Sequence, residues 1–315
     1  MTDGTGPWLT VVGSTMIDLV AYTQRVPERG ETIHGDRFVQ GFGGKGANQA
    51  VMARLLGANV AMVNCLGDDG YGDETLANFA RYGIDATYVR RVPGASGVAP
   101  IWVEADGSNR IIIIPGANAG LLPEHGAAAV TAQPRVDAVI AQFEIDQAVT
   151  TAAFRAARDR GATTILNPAP GAPIAPELIA VSDWILPNET EFAILARAAG
   201  LPDDPTDDAA LAGMAAAFGT RLLVTLGDKG AALVGPDGSI TMVPAPKVEA
   251  TDSTGAGDAF IGAFAYALGL GWSEVDAVRL GCAIAADSVR RPGTQSSFPD
   301  PERSAAIVAQ VRAGA

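Results

Sequence analysis

A carboxylate, Asp258, closes the run Asp252-Ser253-Thr254-Gly255-Ala256-Gly257-Asp258 and stands just before an apolar stretch whose spacing predicts a helix over Ala259–Leu268. Glycines at 255 and 257 can turn tightly and leave their N–H groups uncovered. A helix start adds unpaired N–H groups and a partial positive charge, so the segment suits an anion. An acid beside a phosphate cradle matches phosphoryl transfer to an alcohol. The amides hold charge on the phosphate, and the carboxylate takes the hydroxyl proton. The same run also reads as a plain helix cap, and the motif alone leaves both readings open.

Gly41-Phe42-Gly43-Gly44-Lys45-Gly46 fits the letters of the dinucleotide pattern G-x-G-x-x-G. That fingerprint belongs in the turn after the first strand, which here is Gly13-Ser14-Thr15-Met16. It is not a Walker A loop either, because Gly46 follows Lys45 and the glycine spacing differs. The run reads as a Gly-rich turn that brings backbone against a small ligand, with Lys45 and Asn48 supplying polar contacts as a helix starts. A structural turn with a solvated lysine is the plainer alternative. Asp18 lies just beyond the first strand and can either accept two sugar hydroxyls or stand as a solvated loop acid. In Pro187-Asn188-Glu189-Thr190-Glu191, Asn188 and Glu191 have capping-box spacing. The Glu191 carboxylate can also serve Mg²⁺ or its waters, since that ion takes few protein ligands. Gly293-Thr294-Gln295-Ser296-Ser297 reads as a turn rich in carbonyls and hydroxyls.

These groups need a scaffold, and short apolar runs alternating with longer helical patterns supply one. Leu9–Val12, Val60–Cys65, Ala138–Phe143, Thr164–Leu166, Trp184–Leu186 and Leu222–Thr225 read as buried strands. Ala47–Leu56, Gly72–Tyr82, Ala148–Arg160, Glu189–Ala199, Asp207–Phe218 and Ala259–Leu268 read as helices. The alternation predicts an α/β fold with a mostly parallel sheet covered on both faces. Glu144, Asn167, Asn188, Glu191 and Thr225–Asp228 follow successive strands, and ligands in open α/β sheets bind beyond those carboxyl ends. Two stretches break the rhythm. Asp18–Phe42 carries turns and β-prone pieces without a helix, and Gly97–Pro115 reads as a hairpin around Asp106-Gly107. Together they suggest a small separate sheet. Ala231–Val243 reads as a second hairpin, turning at Pro236-Asp237-Gly238.

The chain has 315 residues, 48% hydrophobic and 18% charged, which allows one large α/β domain with a substantial core. A formal net charge of −13 argues against nucleic-acid binding, which needs a basic footprint. Cys65 and Cys282 lie in apolar contexts and read as buried thiols, and His34 and His125 lack metal-ligand spacing. Acid–base work therefore falls to carboxylates. Met1 to Pro7 is polar without a signal-peptide core, and no apolar run is long enough to span a bilayer, so a cytoplasmic protein is expected.

Taken together, Gly41–Ala50 and Asp252–Asp258 resemble the two signatures of the PfkB-type carbohydrate kinases, and within them the ribokinases. Asn167-Pro168-Ala169-Pro170, Pro187–Glu191, Thr225–Gly227 and Gly293–Ser297 fall in family order, and the likeness runs from about Val11 to Pro299. The resemblance implies a single ribokinase-like three-layer α/β/α domain over residues 1–315, with lid segments 18–42 and 97–115 inserted. It implies ATP-dependent phosphorylation of a pentose 5-hydroxyl, most directly D-ribose to D-ribose 5-phosphate. Asp258 is then the base, and the amides of Gly255, Ala256 and Gly257 form the anion hole. Asp18, Gly44, Lys45, Asn48 and Glu144 hold the sugar, with Met16 beside them. Asn188 and Glu191 serve the phosphates and Mg²⁺, and Thr225, Leu226 and Gly227 border the nucleotide. Asp252, Thr254, Ser288, Arg291, Gly293 and Ser297 match positions of a monovalent-cation site, usually K⁺. Lids of this family commonly pair two subunits, which implies a homodimer.

The chain departs from the pattern at two places. Met16 stands where many bacterial ribokinases carry Asn, and losing an amide from a sugar site should weaken discrimination for one hydroxyl by ~1–2 kcal/mol. Gly13–Asp18 with Ser96–Pro100 looks more like 2-deoxyribose kinases, although eukaryotic ribokinases also carry Met here. Cys282 stands where Asn or His often faces the nucleotide. Adenosine kinases and hexose kinases fit the Gly44–Asn48 signature less well, a non-catalytic sugar- or nucleotide-binding regulator leaves Asp258 without a purpose, and a nicotinamide dehydrogenase conflicts with the motif position.

Overall fold

The computed structural model describes residues 6–314, so most of the polar N-terminal segment expected to lack a leader, residues 1–5, lies outside the described residues. In chain order the elements are β1 (Trp8–Val12), β2 (Met16–Tyr22), β3 (Arg37–Gly43), α1 (Lys45–Leu55), β4 (Asn59–Gly67), α2 (Gly70–Tyr82) and β5 (Asp85–Val92). Next come β6 (Val98–Val103), β7 (Asn109–Ile111), α3 (Pro123–Ala132), β8 (Ala138–Ala141), α4 (Gln147–Asp159), β9 (Thr163–Leu166) and α5 (Pro176–Ile179). The remainder is β10 (Trp184–Ile185), α6 (Glu189–Ala199), α7 (Asp208–Phe218), β11 (Arg221–Thr225), β12 (Ala231–Val234), β13 (Ile240–Val243), α8 (Ala256–Gly269), α9 (Glu274–Ser288) and α10 (Pro301–Ala313).

Nine strands form one sheet in the order β13-β12-β11-β10-β9-β8-β1-β4-β5. All pairs from β11 to β5 are parallel, and the β11–β13 end is antiparallel. Alternate residues feed opposite cores. Leu9 and Val11 of β1 join the cluster with α1, α8 and α9, while Val12 joins the cluster with α4, α6 and α7. After β1 the chain lays β4 and β5 on one side, then returns to lay β8 on the other. The carboxyl ends of β1 and β8 therefore flank a topological switch point, where open α/β sheets make their ligand crevice. Helix α8 is anchored beneath it by Phe264, fully buried and edge-on to Trp184 at 5.0 Å between ring centres. Truncating such a ring costs about 3–5 kcal/mol, so the register of α8 is firmly set.

A second, smaller sheet, β3-β2-β6-β7, stands where the lid is expected. β2 pairs antiparallel with β3 and parallel with β6, so the two irregular stretches of sequence do make one small sheet. This small sheet starts at Met16, where Met16 pairs with Gly43 and the Ile17 N–H donates to the Gly97 carbonyl. Asp18 is thus a strand residue and not a loop acid.

Other boundaries shift for local reasons. α8 begins at Ala256, not Ala259: Gly255 takes φ 76° as its N-cap, and the small residues behind it fit the first turn. Asp258 is consequently the third residue of the helix rather than a loop residue. The strand expected to run to Phe143 ends at Ala141, since the Phe143 N–H leaves the ladder for the Ala169 carbonyl. Sequence pattern passed over β5, α3, α5, α9 and α10. β5 is an edge strand studded with Asp85, Arg90 and Arg91, and the helical pattern of α9 is interrupted by Gly281 and Cys282, although the helix itself runs through them. Among the described residues no helix is long and apolar enough to cross a membrane.

Candidate active site

The loops after β1 and β8 meet at the N-terminus of α1. Glu144 accepts the Lys45 N–H at 2.9 Å and the Ser14 hydroxyl on the same oxygen, Oε2. It therefore caps α1 and leaves Oε1 for a ligand. Opposite, the Asp18 carboxylate of β2 lies over Gly43. A Cβ built there would overlap it, so only glycine permits the approach. Asp18 Oδ2 accepts the Thr294 hydroxyl at 3.3 Å. Met16 shares the Asp18 face of β2 and is buried, with its sulfur 3.8 Å from the Asn118 amide nitrogen. That nitrogen already donates to the Thr15 and Pro115 carbonyls, both at 2.8 Å.

Asp258 is buried, and both its oxygens are bonded by α1. Asn48 Nδ2 donates to Oδ2 and Gln49 Nε2 to Oδ1, each at 2.9 Å. Asn48 is itself held through its Oδ1 by Gln295 Nε2 at 3.1 Å, and Gln295 by Asn78 at 3.0 Å. The carboxylate sits in the first turn of α8, toward the helix's positive end. The Ala256 N–H donates to Ser253 at 3.2 Å; of the three expected anion-hole amides it alone is already partnered among the described residues.

One cation serves three acids here. Burial pulls the Lys45 ammonium down, but the carboxylates of Asp258, Glu144 and Glu191 outweigh it and hold it above its ordinary value. Burial pushes Asp18 up to about 7, with Glu144 and Asp258 adding repulsion and the Thr294 hydrogen bond opposing it. Burial likewise raises Glu144 and Glu191, although Lys45 counters it at both. Lys45, Glu191, Asn188 and Asp258 line a cavity of ≈ 150 Å³. A cleft of ≈ 700 Å³ adjoins it, sharing Asn188, Thr225 and Gly257 and extending past Phe260 to Cys282. A wider depression of ≈ 850 Å³ lies elsewhere, against Asp146, Arg155 and Glu177, and contains none of these groups.

The pfkB family carbohydrate kinase model matches residues 8–301. The chain belongs to the PfkB carbohydrate kinase family. It is 40% identical over 299 residues to a deoxyribokinase of Salmonella typhi, covering 94% of this chain and 96% of that one. A ribokinase crystal structure from Thermotoga maritima superposes with a TM-score of 0.87 at 36% identity, covering 96% of this chain and 99% of its own. A ribokinase of Arabidopsis thaliana complexed with ribose and ATP superposes at 0.85 with 30% identity, covering 96% and 99%.

Within this PfkB kinase the remaining expected positions divide by what their side chains already do. Asn188 Oδ1 accepts the Glu191 N–H at 2.8 Å, and Glu191 Oε2 accepts the Asn188 N–H at 2.9 Å. The capping box is real, and it leaves Glu191 Oε1 toward the cavity. The backbone bridge between Asn188 and Thr225 places both at one cleft wall. Leu226 differs: its side chain is buried in the core, so only its backbone can border a nucleotide. The Cys282 thiol lines the cleft, and burial pushes it up to about 11, so it serves as an apolar wall.

In the expected cation loop, Asp252 Oδ1 accepts the Thr254 N–H and hydroxyl, and Oδ2 accepts the Gly293 N–H at 2.9 Å. Ser288 donates to Ala285, and Ser297 to the Thr294 carbonyl. Arg291 bonds the Ser297 carbonyl at 2.9 Å and the buried Asp287 at 2.5 Å. Asp252, Thr254 and Gly293 are thus drawn together, whereas Arg291 already places a positive charge on the Ser297 carbonyl. Sequence reasoning missed Gln49, Ser14, Thr294 and Gln295 as site residues. All four lie inside runs that the sequence singles out, but nothing in the spacing says which partner each one meets.

Proposed function

We propose that the chain transfers the γ-phosphoryl group of ATP to the 5-hydroxyl of a furanose pentose, D-ribose giving D-ribose 5-phosphate and ADP. The observation that carries the reading is the Asp258 carboxylate, held by two amide donors in the first turn of α8, between the Lys45 cavity and the larger cleft. The sugar lies on Asp18, the Gly43–Gly44 turn, Lys45, Asn48 and the free oxygen of Glu144. Asp258 takes the hydroxyl proton as the oxygen attacks the γ-phosphorus and the bond to ADP breaks. The amides of Gly255, Ala256 and Gly257 and the Lys45 ammonium hold the charge that develops on the transferred group. ATP occupies the cleft along Thr225, the Leu226 backbone and Gly227.

Glu191 Oε1 and Asn188 suit Mg²⁺, whose few protein ligands and retained waters match a single free carboxylate oxygen; when bound it neutralises phosphate oxygens. The Asp252 carboxylate, with backbone carbonyls at Thr254 and Gly293, suits K⁺, which would stabilise the loop behind the anion hole; the expected Ser297 position fits less well, because the Arg291 guanidinium already occupies its carbonyl. Exposed apolar residues cluster on the lid: Phe38 is 62% exposed, Ile112 52% and Ile114 47%. A second copy covering this face gives a homodimer. The protein acts in the cytoplasm and binds neither nucleic acid nor membrane.

A second reading, 2-deoxy-D-ribose as the acceptor, is favoured by Met16, which offers a sulfur where an amide could bond the 2-hydroxyl. Measuring ADP release with each pentose, under K⁺ or Na⁺, tests both. Higher kcat/KM on ribose supports the first reading and a deoxyribose preference the second. Release with neither sugar but with a hexose or nucleoside moves the substrate class. No release with any acceptor leaves a sugar- or nucleotide-binding regulator on the same fold.

A further inference from the structure

Gln49 is fully buried, beyond the reach of any sugar, yet every polar atom of its amide is used. Its Nε2 donates to Asp258 Oδ1 at 2.9 Å and to Asn167 Oδ1 at 3.2 Å, and its Oε1 accepts Gln142 Nε2 at 2.6 Å. Asn167 is fixed in turn by donating to the Leu186 carbonyl at 2.9 Å. One side chain thus joins α1 to the ends of β8 and β9 and to the first turn of α8.

We propose that Gln49 is a positioning residue that aims the Asp258 carboxylate, with Gln142 supporting its amide from behind by donating to Oε1; this rests on Asp258 being the base of the proposed kinase. A flip of the Gln49 amide would turn Oε1 against the carboxylate and Nε2 against the Gln142 donor, two repulsive contacts in place of two hydrogen bonds. The orientation is therefore single-valued. The two donors on Asp258 are also unequal. Asn48 stands in the expected sugar contact set and shares Oδ2 with an incoming hydroxyl. Gln49 keeps Oδ1 throughout, so the carboxylate pivots about a fixed oxygen while the other takes the proton. The reach is short because α1 and α8 nearly touch. A Cβ built on Gly262, one turn beyond Asp258, would lie 2.7 Å from the Gln49 carbonyl oxygen. Lys45 from α1, Glu144 after β8, Asp18 from β2 and Glu191 from α6 also face this acid, and none of them bonds Gln49.

The test compares the whole enzyme with Gln49→Met, Gln142→Met and the double variant, each checked for its melting temperature. Gln49→Met keeps the length of the side chain and removes the donor. It is expected to lower kcat by about ten- to a hundred-fold, with KM for pentose and ATP within about two-fold, the signature of a contact that acts on the reacting group. Gln142→Met is expected to lower kcat by a few-fold, and the double variant to be no worse than Gln49→Met alone, because Gln142 acts through Gln49. A folded Gln49→Met with the kcat of the parent overturns the proposal. So does a loss confined to KM, or additive losses in the double variant. If Gln49→Met does not fold, Gln142→Met decides, since it touches neither Asp258 nor substrate: an unchanged kcat there overturns the proposal. A parent inactive on both pentoses counts against the substrate reading alone, and the same kcat ratios are then read on the acceptor that is turned over.

Discussion

The Thr294 hydroxyl lies 3.3 Å from Oδ2 of Asp18, although 276 positions separate them. The contact ties the loop beside Gly255 to the lid strand that carries the expected sugar acid. Burial holds Asp18 at about 7, and Thr294 is what opposes that rise. A carboxylate must be ionised to accept two sugar hydroxyls. kcat/KM for the pentose should therefore fall as pH drops through about 7. Thr294→Val should raise the pentose KM about three- to ten-fold and move that fall to higher pH. A pH profile identical to the parent would remove Thr294 from the site.

The same acid costs stability. Its folded value lies above 3.8, so the folded state keeps a proton that the unfolded chain releases. Stability from this group is fully present below pH 3.8, declines as pH rises toward about 7, and stays low above it. Asp18→Asn should raise the melting temperature at alkaline pH, by an amount worth on the order of 2–4 kcal/mol, and gain little near pH 3.8. Thermal melts across that range check the sign, and sugar turnover should be lost in the same variant.

Asp258→Asn should fold as the parent does, since Phe264 and Trp184 fix α8 independently of the carboxylate. Turnover should fall by about 10²–10⁴, the usual worth of a general base. Its amide can satisfy only one of the Asn48 and Gln49 donors, so a modest drop in melting temperature is expected as well. Near-parental turnover would refute the base assignment.

Met16→Asn probes the acceptor. Asn118 cannot serve the sugar from behind Met16, because its nitrogen is spent on two backbone carbonyls. A new amide at 16 should therefore be the only added donor. The ratio of kcat/KM for ribose over deoxyribose should rise about ten-fold, corresponding to one hydrogen bond of about 1.4 kcal/mol. An unchanged ratio would mean that the 2-hydroxyl does not face this strand.

Ile112→Asp and Phe38→Asp place charge on the exposed lid face. Light scattering should find the parent dimeric and both variants monomeric. A monomeric parent would leave that apolar face without the proposed partner.

How much of this was legible in the sequence depended on how locally each feature is encoded. The strand–helix alternation and the turns at Gly43–Gly44 and Gly255–Gly257 are contiguous, so pattern and spacing exposed them. Asp258 was found because its helix start is written in the seven residues around it. The lid was visible only as two breaks in rhythm, since the parallel pairing of β2 with β6 joins segments far apart in the chain. Gln49 meeting Asp258, and Thr294 meeting Asp18, exist only once α1, α8 and the lid are packed. The start of α8 was misplaced because Gly257 and Asp258 are poor helix formers by propensity, whereas the left-handed Gly255 cap admits them to the first turn. Motif position also cannot tell a side chain from its backbone: the Leu226 side chain is buried in the core, which leaves its backbone to border a nucleotide.

β2 leaves β1 after only Gly13, Ser14 and Thr15, and it carries Asp18 into the lid sheet. Asn48, Glu144 and Asp258 stay with the large sheet and its helices. On the proposed sugar contacts an acceptor would therefore be gripped by residues of both sheets at once. A molecule that reaches only one sheet would make only part of those contacts. Water is such a molecule: it can approach Asp258 but cannot also span to Asp18. On the proposed reading, protection of ATP from hydrolysis would then follow from where the chain crosses between sheets, and grafting a tighter Asp258 pocket onto a fold without that crossing would not reproduce it.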